Sequence, residues 1–251
     1  MKRIALVSAL SLALVGNVFA DSHEGHEHVV HWGYTGEAGP SHWGDLKKEY
    51  GTCKTGQQQS PINITAAKDI EQHAIKFDYH TSTMNIVNNG HTVQNNFAKG
   101  SSITLDGKTF NLLQVHFHTP SENHLEGQSY PMEAHFVHKS DDGKLAVVAV
   151  LIKEGANNAF LQKIVDNMPH HEAAAKDVAG VEMNGADFVP AENGYYAFMG
   201  SLTTPPCSEG VQWLMMKSQA EASKAQIAAL HEVMHTNNRP IQATNGREIV
   251  E

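Results

Sequence analysis

The chain has 251 residues, which suits one large domain or two small ones. A chain of this length can bury roughly 70% of its unfolded surface, so a sizeable core needs few staples. A net charge of −9 makes nucleic acid and anionic membranes poor candidates as partners and a small uncharged substrate the easier expectation. The composition, 41% hydrophobic and 18% charged, is ordinary for a globular protein, but the 17 histidines are many, and each metal-like spacing has to be weighed against chance.

The first twenty residues read as a secretory signal peptide: Lys2 and Arg3, an apolar run from Ile4 to Val15 broken only by Ser8 and Ser11, and a cleavage site at Val18-Phe19-Ala20 that leaves Asp21 as the new N-terminus. The run is too short to span a bilayer, and no later segment is long and apolar enough to do so. Export to a periplasmic or extracellular space follows. Residues 21–30 form a polar, histidine-rich tail. His23, His26 and His28, with His31 just beyond, could bind a metal loosely, although a solvated tail explains them as well.

From Ser41 onwards the chain reads as folded, with no linker or repeat. Ser41 to Tyr50 suggests a short helix. In an exported protein, Cys53 and Cys207 suggest a disulfide; two buried free thiols are the alternative. Such a bond closes a long loop, worth roughly 5 kcal/mol at most in a chain-entropy account. Strand-like runs follow, separated by turn signals at Asn88-Asn89-Gly90, Asp106-Gly107 and Asp142-Gly143.

The stretch Leu113-Gln114-Val115-His116-Phe117-His118 alternates with period two. On a strand, Gln114, His116 and His118 share one face and Leu113, Val115 and Phe117 the other. After a loop from Ser121 to Tyr130, Glu133, His135 and Val137 share a face of a second strand. If the two strands pair, His135 joins His116 and His118 around one metal ion. Three neutral imidazoles leave zinc its full charge and an open position, the catalytic rather than the structural pattern. Leu145 to Ile152 is continuously apolar, as in a strand buried on both faces. Asn158 to Met168 reads as a helix stopped by Pro169. Ser223 opens the clearest helix, with Gln226 completing a capping box and Ile227, Leu230 and Met234 on one face. The whole reads as one β-dominated domain with a few peripheral helices.

That last helix carries a rival motif. His231-Glu232-Val233-Met234-His235 matches the H-E-x-x-H pattern of zinc peptidases, but only sixteen residues follow His235, without the extended form's downstream ligand. In so histidine-rich a chain it reads as chance.

Taken in order, His31-Trp32-Gly33-Tyr34, Gly39-Pro40-Ser41-His42-Trp43, Gln59-Ser60-Pro61-Ile62-Asn63-Ile64, Asn88-Asn89-Gly90-His91, the Gln114–His118 strand, Pro120-Ser121-Glu122-Asn123-His124, Glu133-Ala134-His135-Phe136-Val137-His138, Gly200-Ser201-Leu202-Thr203-Thr204-Pro205-Pro206 and Asn238-Arg239-Pro240 resemble the α-class carbonic anhydrases. The cysteine pair looks like the disulfide of the family's bacterial members.

The resemblance covers residues 31–251 as one catalytic domain. It implies a large twisted, mostly antiparallel sheet with one zinc ion at the floor of a conical cavity. It also implies reversible hydration of carbon dioxide to bicarbonate by attack of zinc-bound hydroxide, with a histidine proton shuttle. His116, His118 and His135 match the zinc ligands, and Gln114 and Glu133 the partners that orient them. Thr203 and Glu122 match the pair that aims the nucleophile. Val137, Val147, Leu202, Thr204, Val211 and Trp213 match the substrate pocket, His91 the shuttle, and Tyr34 the ordered water network. The resemblance leaves the oligomeric state open, with a homodimer as the option often taken by bacterial members. It also suggests cis bonds before Pro61 and Pro206.

Overall fold

The computed structural model describes residues 31–192 and 194–251; the expected signal peptide and the tail histidines His23, His26 and His28 lie outside the described residues. Thirteen strands occur among those described. They are β1 (Asn63–Ile64), β2 (Lys76–Asp78), β3 (Ser82–Asn88), β4 (Val93–Asn96), β5 (Ser102–Leu105), β6 (Lys108–His118), β7 (His124–Leu125), β8 (Met132–Lys139), β9 (Leu145–Glu154), β10 (Ala173–Met183), β11 (Tyr195–Ser201), β12 (Glu209–Met216) and β13 (Ala220–Ala222). Four α-helices accompany them: α1 (Trp43–Leu46), α2 (Thr52–Thr55), α3 (Ala159–Asn167) and α4 (Lys224–Met234).

Eleven strands make one sheet, whose main path runs β10-β3-β4-β6-β8-β9-β12-β11. Pairing is antiparallel except that β9 takes both β12 and β13 in parallel. The expected mainly β, mostly antiparallel sheet with a few short helices is therefore the observed architecture. The Ser121–Tyr130 connection is more ordered than a plain loop: it contains β7, which pairs in parallel with β1. The helix expected over Ser41–Tyr50 is divided, because Lys47 turns extended between α1 and a 3-10 turn at Lys48–Tyr50.

The central strands are apolar on both faces because each face has its own core. Along β9, Ala146, Val148, Val150 and Ile152 enter a large core with Val115, Phe117, Phe136 and Leu214. Helices α3 and α4 cover that core through Phe160, Leu161, Ile164, Leu230 and Met234. The intervening Val147, Ala149 and Leu151 enter a second core with Val211, Trp213 and Met215. Strict alternation over a strand sandwiched this way leaves no face for polar residues.

Local signals account for the edges of these elements. Asp106 and Gly107 both take positive φ, at 49° and 76°, which gives the tight β5–β6 hairpin the twist its strands need. Asn158 caps α3 by accepting from the Phe160 and Leu161 N–H groups. Ser223 and Gln226 form the reciprocal capping box of α4.

Candidate active site

Strand register assembles the site. Across β6 and β8, Gln114 faces Val137, His116 faces His135 and His118 faces Glu133. Val137 in turn faces Val147 on β9, and Val147 faces Trp213 on β12. Cross-strand partners project from the same face of a sheet. One continuous face thus carries three imidazoles, the acceptors of two of them and an apolar wall.

One ring nitrogen from each of His116, His118 and His135 lies within 4.8 Å of the other two, the only such group of three His, Cys, Asp or Glu residues among the described residues. Each imidazole is fixed by its other nitrogen. His116 Nδ1–H donates to Gln114 Oε1 at 2.8 Å, His118 Nδ1–H to the Asn237 carbonyl at 2.8 Å, and His135 Nε2–H to Glu133 Oε1 at 2.9 Å. Those acceptors cannot donate, so each bond dictates the tautomer and leaves a bare lone pair on the opposite nitrogen. Burial holds all three histidines below the usual imidazole range; for His116 and His135 the shift is large, with neighbouring imidazoles adding to it. They are neutral at neutral pH, the form that binds a metal.

Glu133 is itself fully ordered by donors. Its Oε2 accepts from the Glu122 and Asn123 N–H groups at 2.8 and 2.7 Å, and its Oε1 accepts from Asn123 Nδ2 at 2.7 Å as well as from His135. Burial pushes the carboxyl up, and those donors pull it back toward the ionised form.

Glu122 is buried beside the triad, with Oε2 3.4 Å from His118 Nε2 and 3.9 Å from His135 Nδ1. Its Oε1 accepts from the Arg239 backbone N–H at 2.8 Å. Burial pushes this carboxyl well up; the Arg239 N–H and the hydroxyl of buried Thr203 oppose the rise as hydrogen-bond donors. His118 Nε2 and Glu122 Oε2 are both buried without a well-directed partner. Two orphaned polar atoms facing each other in one enclosure mark a place built for a further polar group.

The apolar side consists of buried Val147, Val211 and Trp213, with partly buried Val137 and Leu202 packed against them. Trp213 meets His135 edge to face at a centroid distance of 4.9 Å. On the polar side, a cleft of about 130 Å³ is lined by Trp32, Tyr34, His91, His116, His118 and Thr204, among others. His91 stacks on Trp32 at 3.6 Å, nearly parallel. Burial lowers the proton affinity of His91, and His31 adds to that, whereas Glu172 opposes it. Burial and the charge of Glu122 push the Tyr34 phenol up, so it stays a neutral hydrogen-bonding group.

The expected imidazoles, Gln114, Glu133 and the apolar wall therefore share one face of the sheet, and Tyr34, His91 and Thr204 line the cleft beside them. The rival H-E-x-x-H pair does not come together as a helical pair. Helix α4 ends at Met234, His235 turns to φ 53°, and His231 contacts Thr119 Oγ1 at 3.2 Å instead.

Two residues without an assigned role prove central. Asn237 holds His118 through its carbonyl, receives the Thr119 N–H on Oδ1, and donates from Nδ2 to the His91 and Phe117 carbonyls. Arg239 extends its buried guanidinium to Gln59 Oε1 and to the carbonyls of Ser60 and Cys53 while its backbone holds Glu122. Asn237 acts partly through its backbone and over 119 positions of sequence, so nothing local signals it.

Cys53 on α2 is bonded to Cys207, with Cα atoms 5.0 Å apart. The bond sits three residues beyond Thr204, and Gln59 Nε2 also donates to the Cys207 carbonyl. Two contacts thereby anchor the Cys207 end of the Thr203–Cys207 loop. The peptides before Pro61 and Pro206 are cis, as is the one before Pro120.

A family model described as eukaryotic-type carbonic anhydrase matches residues 38–251. A carbonic anhydrase of Pectobacterium atrosepticum is 46% identical over 222 residues, 88% of this chain and 91% of the relative. Among solved structures, an α-carbonic anhydrase from Thermovibrio ammonificans in complex with the inhibitor sulfanilamide superposes with a TM-score of 0.85 at 40% identity, covering 88% of this chain and 99% of that one. The Photobacterium profundum α-carbonic anhydrase gives 0.83 at 46% identity, with 88% and 100% covered.

Proposed function

The chain belongs to the eukaryotic-type, or α, carbonic anhydrase family, enzymes whose known reaction is the hydration of carbon dioxide, and from that premise we propose that it catalyses this reaction, reversibly, with one zinc ion held by His116, His118 and His135. The observation that carries the proposal is the set of three neutral imidazoles, each locked by an acceptor on its far nitrogen. Three nitrogen donors with no carboxylate or thiolate among them suit zinc in its catalytic form, and the orphaned His118 Nε2 fits a ligand nitrogen. Bound zinc supplies a water made acidic enough to be a nucleophile at neutral pH, with the pKa near 7 that is the known value for this family.

The chain's own residues do the rest. Thr203 donates its single proton to ionised Glu122, so it can only accept from the nucleophilic oxygen, which turns a lone pair of that oxygen toward the incoming carbon. The Arg239 N–H, the Thr203 hydroxyl and, when zinc is present, its charge all favour the ionised form of Glu122. Val137, Val147, Leu202, Val211 and Trp213 offer carbon dioxide an apolar wall and exclude water, and Thr204 lines the polar cleft on the other side of the imidazoles. Tyr34 orders water between the centre and His91. His91 takes up the proton and passes it to buffer.

Export fits the Cys53–Cys207 bond, since disulfides persist in oxidising compartments. Our reading of the chain is a signal peptide at 1–20, a histidine-rich tail at 21–30 and a catalytic domain at 31–251, with the oligomeric state left open and a homodimer as one option.

Stopped-flow hydration before and after zinc removal tests the function. Activity should vanish with the metal and return with zinc. Hydration that survives metal removal would overturn the role of zinc, and a folded, zinc-loaded chain without hydration would overturn the function.

A further inference from the structure

His91 lies on a turn packed against the start of β10. Asn89 Oδ1 accepts from the His91 and Thr92 N–H groups at 3.0 and 2.9 Å, and Asn88 Oδ1 accepts from the Gly90 N–H at 3.0 Å. Asn88 Nδ2 reaches across to the Pro169 carbonyl at 3.0 Å, and Asn88 is the register partner of Ala173. These two contacts bracket residues 170–172, His170-His171-Glu172, and hold them beside the turn. Gly90 has φ 81° and presents bare backbone, on which the Glu172 carboxylate rests; a Cβ at Gly90 would come within 3.1 Å of Glu172 Oε2. A carboxylate thus lies beside the backbone of the residue that precedes His91.

We propose that Glu172 is a positioning residue for proton transfer, an anion beside the His91 turn that keeps the imidazole able to accept a proton. The inference rests on the reading of His91 as the shuttle. Among the described residues, three influences act on this imidazole. Its partial burial against Trp32 disfavours the charged form, as does His31 from the N-terminal segment, and Glu172 from the start of β10 works against both. A relay has to hold a proton briefly between the centre and the buffer. An imidazole pushed too far down by burial would accept the proton poorly. Glu172 is exposed, so its influence is partly screened and should weaken as salt rises.

The test compares the zinc enzyme with its Glu172→Gln, Glu172→Asp and His91→Ala variants, reading both turnover and the His91 titration by NMR. In Glu172→Gln the His91 pKa should move down, and kcat in weak buffer should fall roughly two- to fivefold, the scale of an exposed charge pair. The hydration step itself does not involve the relay, so kcat/KM should stay unchanged. Glu172→Asp should recover part of both losses, and the difference between wild type and Glu172→Gln should shrink in high salt. If the His91 pKa does not move while His91→Ala still slows turnover, the role of Glu172 falls and the shuttle stands. If the pKa moves but turnover is indifferent to His91→Ala, the shuttle reading falls and takes with it any role of Glu172 in turnover.

Discussion

Thr203 and Glu122 illustrate how much chemistry one donor count can decide. A hydroxyl with a single proton, beside a carboxylate that can only accept, has its direction dictated by its neighbour. Thr203→Ala should therefore leave the three imidazoles and the proposed zinc site intact while lowering kcat about 10²-fold, the scale of losing one preorganised hydrogen-bond partner. Zinc content by metal analysis and stopped-flow hydration read the two halves separately, and near-normal turnover would remove the aiming role. The tautomers of His116, His118 and His135 are set in the same manner. For two of them the acceptor, Gln114 or Glu133, lies two residues away on the same strand and was visible in the alternation. The third acceptor is the carbonyl of Asn237, which no side-chain pattern announces.

Among the elements, period-two alternation on β6 and β8 puts the candidate metal-binding side chains on one face, and β9 shows its double burial as an unbroken apolar run. Capping was equally local. Ser223→Ala should cost about 1 kcal/mol of stability, because the Gln226 N–H loses its acceptor at the first turn of α4. Chemical denaturation should show that loss with hydration unaffected below the transition, since α4 packs on the core opposite the site; a neutral effect would mean that solvent replaces the cap. The H-E-x-x-H pattern shows the reverse case. Its spacing assumed a helix continuing through His235, whereas α4 stops at Met234 and the fifth residue of the motif turns left-handed.

For the whole molecule, the Cys53–Cys207 bond joins the N-terminal helices to the loop that follows Thr203, across a separation of 154 residues. Cys53→Ser should lower stability by about 2–5 kcal/mol, or roughly 4–20 °C in Tm. It should also lower turnover measured well below the new Tm, because the Thr203–Cys207 loop loses one of its two anchors. Unchanged turnover there would assign the bond to global stability alone. The sheet imposes a comparable long-range constraint: its two faces separate a purely structural core, covered by α3 and α4, from the face that presents the imidazoles. The proposed chemistry sits on the rigid face, and the proposed proton relay on the turn at its edge.

Read alone, the sequence determined most of what depends on short range: caps, turns, the three histidines, the cysteine pair as partners and the strand faces, except at Leu113, which a bulge in β6 turns outward so that Leu112 joins Val115 and Phe117 in the core instead. Periodicity and local hydrogen bonding suffice for these, since the interacting atoms lie within a few residues or the candidates are few. The tertiary structure alone decided the Asn237 carbonyl on His118, the Arg239 network behind Glu122, the stacking of Trp32 on His91 and the carboxylate of Glu172 against Gly90. Each joins segments tens of residues apart or more through a backbone atom, a ring face or a charge. Such contacts follow from how the packed sheet brings its loops together, which no spacing along the chain records.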